Sequence, residues 1–554
     1  MNNKVVVIGV DGVSYGLIKK LTSRGKMPNV AKLLKEGCAG ALESTIFPVS
    51  PSAWSSSFTG KNPAKTGIYG FYKRVKASYD WAPVTARERA SKDLWEIVSE
   101  LGKRSIVLGF PLTLPTRDFN GILVGGNFTP NLEEAVYPND LKEKILKELN
   151  YDICAHEASG AEIIQSIQKR FNVARFLLNN YEWDLFMLGF EQTEIIHHFI
   201  MFENPKSMER IYEKFDQMLA QFLEALPKST KLLMYSDHGN TTYFKNFHLP
   251  SWLKANGYLK FKDAQKIASL NKEKLGYELA SIRKRQKNAF AAGTMSFVYL
   301  LAKFAKRHFR FIKKIFPFLS TPVNARPQAF GFERGIFKDI FYDFERSLAY
   351  PAKSTAGNYG GIYINLQGRD VQGKVNMGEE YETLRKEIAQ GLLEFSDPQT
   401  GKKVIRKVWK KEELYRGPFL DEIYDLVFEA DKDYYVSSAD EDITQDSIIR
   451  GYYHSQHELD GIILAHGENI RKGREVKGGI INIMPTILHL LGLPVPSDID
   501  GKVEEEIFVE EYLQANPVKT YQADNAVRVG QKDVIQPQEL EQIKRQLEQM
   551  GYIG

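Results

Sequence analysis

Side chains that can bind a divalent cation recur where apolar runs end. The run "KLLMYSDHGN" sets Asp237 and His238 side by side just after a strand-like stretch. The opening "KVVVIGVDG" closes on Asp11, and "DLFMLGF" runs into "EQTEIIHHF", where Glu194 and His198 stand four apart. On a helix that spacing puts both side chains on one face, an arrangement suited to a shared metal. A later run, "GYYHSQHELDGIILAHG", offers His454, His457 and His466. Carboxylates with neutral imidazoles and no thiolates suit Zn2+, Mn2+ or Fe2+, not a Cys-based structural zinc. Each signal alone has an ordinary reading: Asp-Gly after a strand is usually a turn, and a Glu-x-x-x-His pair is more often surface decoration. Their recurrence at successive strand ends is what points to a metal centre.

Such a centre needs a nucleophile, and "FPVSPSAWSSSFTGKNPAKTGIYGF" supplies a candidate in Ser50. Pro51 favours the first position of a helix, which makes Ser50 the expected N-cap. Helix N-terminal amides and their partial positive charge would then face an incoming phosphate. A serine hydroxyl is a poor nucleophile near neutral pH unless a base or a metal lowers its pKa. Standing alone, the stretch reads as a capping serine.

The elements that must position these groups alternate in type. Apolar runs at "KVVVIGVDG", "RSIVLGFP", "GILVGG", "DLFMLGF" and "KLLMYSD" are separated by helical patterns, among them one around Tyr15 to Glu36 and "SIQKRFNVARFLLNNYEW". Continuously apolar strands separated by helices predict an α/β fold with a mainly parallel sheet covered on both faces. Sheets of this kind place functional residues beyond the carboxyl ends of their strands. Residues 1–258 are read as the first part of this core. Residues 259–350, rich in Lys and Arg with long helical patterns, are read as an inserted, mostly helical basic cap. Within the cap, "FVYLLAKFAKRHFRFIKKIFPFL" (297–319) is read as a basic amphipathic helix, suited to packing on the body or to peripheral membrane contact. Sheet character returns in 351–515, and 516–554 form a polar tail ending in a helix.

The 554 residues exceed one simple core, so two or more lobes are expected. A formal charge of +5 gives no reason to expect a nucleic-acid polymer as partner. Two cysteines, Cys38 and Cys154, make no disulfide framework. With no secretory h-region and no spanning apolar run in the sequence, a cytoplasmic enzyme, peripheral to a membrane if 297–319 binds one, is expected.

Taken together the chain resembles the type I phosphodiesterase/nucleotide pyrophosphatase group of the alkaline phosphatase superfamily. The resemblance rests on "VVVIGVDG", "SPSAWSSSFTGKNPAKTGI", "TEIIHH", "SDHG", "GGIYINLQGRDVQGKV", "LYRGPFLDEIYDL", "HELDGIILAHGENIRKG" and "MPTILHLLGLPVPSDIDGK", all in the family's order. It implies an alkaline-phosphatase-like sheet sandwiched by helices and two divalent ions, zinc first and manganese or iron as alternatives. Asp11, Ser50, Asp237 and His238 would hold one ion, with Ser50 as the metal-activated nucleophile that forms a phosphoserine. Glu194, His198 and His457 would hold the other; His457 is chosen because "HELDGI" fits the family's pattern, while His197 is one position out of register. The substrate implied is a phosphate ester, nucleotide or lipid-linked.

Three departures accompany the match: Glu194 stands where the family usually has Asp, Ser50 replaces the common Thr, and Phe71 replaces the phosphate-binding Asn of nucleotide-hydrolysing members. The sulfatase signature is absent. The same metals also serve phosphomonoesterases and phosphotransferases of the superfamily. A non-catalytic, membrane-peripheral binding protein on this scaffold is the remaining alternative.

Overall fold

The computed structural model describes residues 3–523 except 77, 154–158, 201–204, 263–341, 354–355 and 439–448; beyond 523 it describes Glu539, Gln542, Ile543 and Gln546. The side chains at 132, 199–200 and 449–455 also lie outside the description. Cys154, the side chain of His454, the 297–319 helix and most of the 259–350 cap therefore fall outside it, as does most of the terminal helix.

A nine-stranded sheet forms the centre, in the order Arg474–Gly479, Cys38–Glu43, Asp460–His466, Lys231–Tyr235, Val5–Val10, Leu185–Phe190, Ser105–Leu108, Gly121–Val124, Val136–Tyr137. All strands run the same way except Asp460–His466 and Val136–Tyr137. The pattern of apolar residues explains why. Along the first strand Val6, Ile8 and Val10 enter one core while Val5 and Val7 enter the other, and Leu232/Met234 and Leu233/Tyr235 divide the same way. Strands apolar on both faces are stable only where helices cover both.

Helices Gly160–Asn180 and Pro205–Glu224 cover one face, and helices Ser50–Thr59 and Ile483–Leu490 cover the other. The helical stretch expected from Tyr15 to Glu36 is two helices, Tyr15–Ser23 and Pro28–Glu36. Gly25 between them adopts φ +70°, and Pro28 lacks the amide a continuous helix would use.

A second core lies over one end of the sheet. It gathers a four-stranded antiparallel sheet, Ala349–Pro351, Tyr359–Ile364, Leu426–Ala430 and Ile405–Lys410, with aromatic residues that include Phe47, Tyr69 and Phe71. The strand Gly239–His248, which starts directly after His238, pairs with Tyr434–Ser437 on one side and antiparallel with Ile449–Glu458 on the other. The register places Asn240 opposite His457. That pairing carries a residue more than 200 positions away back to the end of the Lys231–Tyr235 strand. An antiparallel bridge between Phe261 and Tyr342 brings together the two ends of the 263–341 segment.

Candidate metal centre

Asp11 follows the first strand, and its amide continues the ladder to the Phe190 carbonyl at 3.2 Å. Gly12 must turn the chain at once, with φ +69°, and its amide donates to Asp237 Oδ1 at 3.2 Å. A Cβ at position 12 would lie 1.9 Å from Glu194 Oε2, so glycine is required by conformation and by space. Glu194 sits on a short helical turn, Gln192–Ile195, that widens into a π-type turn over Ile196–Ile200. Thr193 fixes that turn: its hydroxyl donates to the carbonyls of Asp11 and Phe190, each at 2.7 Å. Ser236 does the same for the third strand end, donating to Val13 O at 2.7 Å while accepting from the Ile462 amide at 3.0 Å. Neither hydroxyl was singled out in the sequence; each stands one residue before an acid, and that is the only local signal.

Three strand ends thus deliver Asp11, Glu194, Asp237 and His238 to one place, and the cross-strand register adds His457. The His238 and His457 rings stack with centroids 3.9 Å apart and planes 23° apart. His198 Nε2 lies 2.6 Å from Glu194 Oε1, so the four-residue spacing joins these two side chains across the wider turn. Ser50 Oγ lies 3.2 Å from His238 Nε2. Two overlapping groups of donor atoms result, Asp11/Asp237/His238 and Glu194/His238/His457, each within 4.8 Å. The sequence assigned His238 to one ion alone, whereas its position touches both groups.

One expectation is corrected. Ser50 is not the N-cap: Val49 is, its carbonyl accepting from the Ala53 amide at 3.0 Å, and Ser50 is the first residue of the helix. Its hydroxyl is turned to His238. His466 lies away from the centre, 3.7 Å from Glu36. His197, out of register with the metal set, is bonded to the Tyr212 hydroxyl at 3.0 Å. Phe71 packs against Phe128 in the second core.

The ring nitrogens indicate what the cluster can hold. His238 Nδ1 is 3.0 Å from the Gly239 carbonyl, and His457 Nδ1 is 2.8 Å from the Pro48 carbonyl. A carbonyl only accepts, so both Nδ1 atoms carry the proton and both Nε2 atoms present lone pairs. These lone pairs face carboxylate oxygens: His238 Nε2 is 3.2 Å from Asp237 Oδ2, and His457 Nε2 is 2.9 Å from Glu194 Oε1. Burial, with the neighbouring His457 ring, pushes His238 down to about 3, which keeps it neutral. Acceptor against acceptor is repulsive unless a cation lies between, and ligand histidines are oriented through the other nitrogen in this way.

The carboxylates argue likewise. Asp11, Asp237 and Glu194 are 4%, 0% and 5% exposed, and Asp11 Oδ1 and Asp237 Oδ2 make no hydrogen bond among the described residues. Burial first, then the other acids, raises Asp11 and Asp237 well above the usual carboxylate range. For Glu194 burial acts in the same direction, but the His198 ring, 2.6 Å from Oε1, outweighs it and holds it well below that range. The donor set fits two divalent cations of the zinc, manganese or iron type.

Comparison with known proteins agrees. The family model described as type I phosphodiesterase / nucleotide pyrophosphatase matches residues 5–299, more than half of the chain. The chain belongs to the type I phosphodiesterase / nucleotide pyrophosphatase family. It is therefore a phosphoric ester hydrolase of the alkaline phosphatase superfamily. The matched stretch contains every member of the centre except His457. Among solved structures, phosphonoacetate hydrolase from Sinorhizobium meliloti 1021 is similar in fold, with a TM-score of 0.52 and 13% identity over 88% of this chain and 95% of that one. Human ectonucleotide pyrophosphatase / phosphodiesterase 5 aligns at 12% identity over 93% and 99% of the two chains, with a TM-score of 0.49. No curated protein matches.

Two outcomes follow from this geometry. Gly12→Ala forces a strained φ and drives Glu194 off His198 and His457; we expect a stability loss of about 1–2 kcal/mol in chemical denaturation and a fall in bound metal measured by elemental analysis. The second concerns pH. A carboxyl whose folded pKa is raised stabilises the metal-free fold fully below its unfolded value of 3.8 and loses that contribution as pH rises through the folded pKa. His238 and His197, held down to about 3 and about 4, add the opposite slope below their unfolded value of 6.5. The melting temperature of the metal-stripped protein should therefore fall as pH rises above about 6.5, while the increase on adding Zn2+ grows over the same range. Glu194, ionised throughout that window, adds no slope, and Glu191, pushed up to about 7 by burial against the opposing charge of Arg170, adds in the same direction. A zinc-induced shift that shrinks with rising pH would contradict the argument.

Proposed function

We propose that this enzyme hydrolyses phosphoric diesters with Ser50 as nucleophile, beside two divalent cations, zinc first. Asp11, Ser50, Asp237 and His238 would hold one ion, and Glu194, His198 and His457 the other. The reading is carried by one observation: two buried imidazole lone pairs point at carboxylate oxygens, with Ser50 Oγ 3.2 Å from His238 Nε2. When bound, the cations supply Lewis-acid activation of the serine hydroxyl and of the leaving oxygen.

The chain's own residues do the rest. In the metal-free site His238 Nε2 accepts from the Ser50 hydroxyl and fixes the direction of Oγ; with a cation bound, that lone pair would go to the cation instead. The helix starts at Ser50, so its first-turn amides and dipole stabilise charge on a phosphoryl group there. Attack forms the Oγ–P bond and breaks the P–O bond to the alcohol; water then cleaves the Oγ–P bond and restores the hydroxyl. The non-reacting part of the substrate, nucleotide or lipid, would be met by the aromatic residues of the second core. Phe71, an apolar ring in place of an amide, argues for a substrate other than the family's usual nucleotides.

The Ser50→Ala variant should keep its melting temperature and lose phosphodiesterase activity to below about one hundredth of wild type; activity within a few fold removes Ser50 from the mechanism. Elemental analysis of the purified protein should find close to two metals per chain, and none would favour a binding protein over an enzyme. A panel of diester and monoester substrates separates the phosphodiesterase from a phosphomonoesterase.

A further inference from the structure

Trp54 lies one helical turn after Ser50, so the same face of the Ser50–Thr59 helix presents both side chains. Its Nε1–H donates to Asp11 Oδ2 at 3.2 Å. The indole is 1% exposed and its plane is fixed by three rings: Phe58 stacked at 6.0 Å, with Phe110 and Tyr235 edge-on at 5.1 and 5.3 Å. Gly9 in the first strand makes the space. A Cβ there would come 3.0 Å from Trp54 Cη2 and 2.4 Å from Phe110 Cε1.

An indole nitrogen only donates, and a buried one needs an acceptor. A carboxylate has two oxygens to offer. With Oδ2 taken by Trp54, Asp11 Oδ1 makes no hydrogen bond among the described residues and lies 3.7 Å from His238 Nε2. We infer that Trp54 is a positioning residue: its N–H locks the Asp11 carboxylate so that Oδ1 faces the cation position, and it ties that ligand to the helix that carries Ser50. The inference rests on the metal-centre reading above. It adds that one helix sets both the nucleophile and the first-strand ligand, so that their separation is fixed before metal or substrate arrives.

The test is a Zn2+ titration of the metal-stripped protein by calorimetry, on wild type and Trp54→Phe. Phe keeps an apolar ring and loses the donor. The melting temperature of the metal-stripped variant should stay near that of wild type, while at least one zinc binds about tenfold or more weakly, as is usual when a group behind a ligand is removed. Unchanged affinity at both positions overturns the inference and leaves the metal centre standing. Wild type that takes up no zinc overturns both. Should Trp54→Phe fail to fold, the indole N–H resonances of wild type give the second reading. One of the six tryptophans must shift on zinc addition, and a spectrum in which none moves overturns the inference.

Discussion

Three carboxylates and two stacked imidazoles are confined together in the interior at the carboxyl edge of the central sheet, and this crowding of negative charge and lone pairs is the condition around which the rest is arranged. Removing that many ionisable groups from water is costly unless something positive joins them. The chain supplies no lysine or arginine to Asp11 or Asp237 among the described residues, and the imidazole beside them, His238, is neutral. A folded site with this composition is organised for a ligand of opposite charge.

Backbone geometry enforces the crowding. Parallel strands end side by side, so residues just beyond them become neighbours regardless of separation along the chain. Hydroxyls at Thr193 and Ser236 pin the turns, Gly12 removes the side chain that would push Glu194 away, and carbonyls at Gly239 and Pro48 orient the rings. Each of these is a modest interaction. Their effect is to leave few alternative rotamers, which is what preorganisation requires of a catalytic site.

Much of this was legible in the sequence. The strands that end in Asp11, Glu194 and Asp237-His238 are continuously apolar, and that signal is local. The position of His457 is not local: it depends on the register of two ten-residue strands, and among the three histidines of "GYYHSQHELDGIILAHG" only the resemblance to the family's pattern made the choice. Ser50 was misplaced by one position because Ser-Pro fits a cap; its hydroxyl is turned to His238. The Tyr15–Glu36 stretch was read as one helix because its apolar pattern runs across the break at Gly25 and Pro28.

The single bridge between Phe261 and Tyr342 has a consequence for how such proteins diversify. Where two chain positions meet in this way, the entropy of closing the chain between them grows only slowly with its length. Lengthening or shortening the chain between those two positions therefore costs the described fold little.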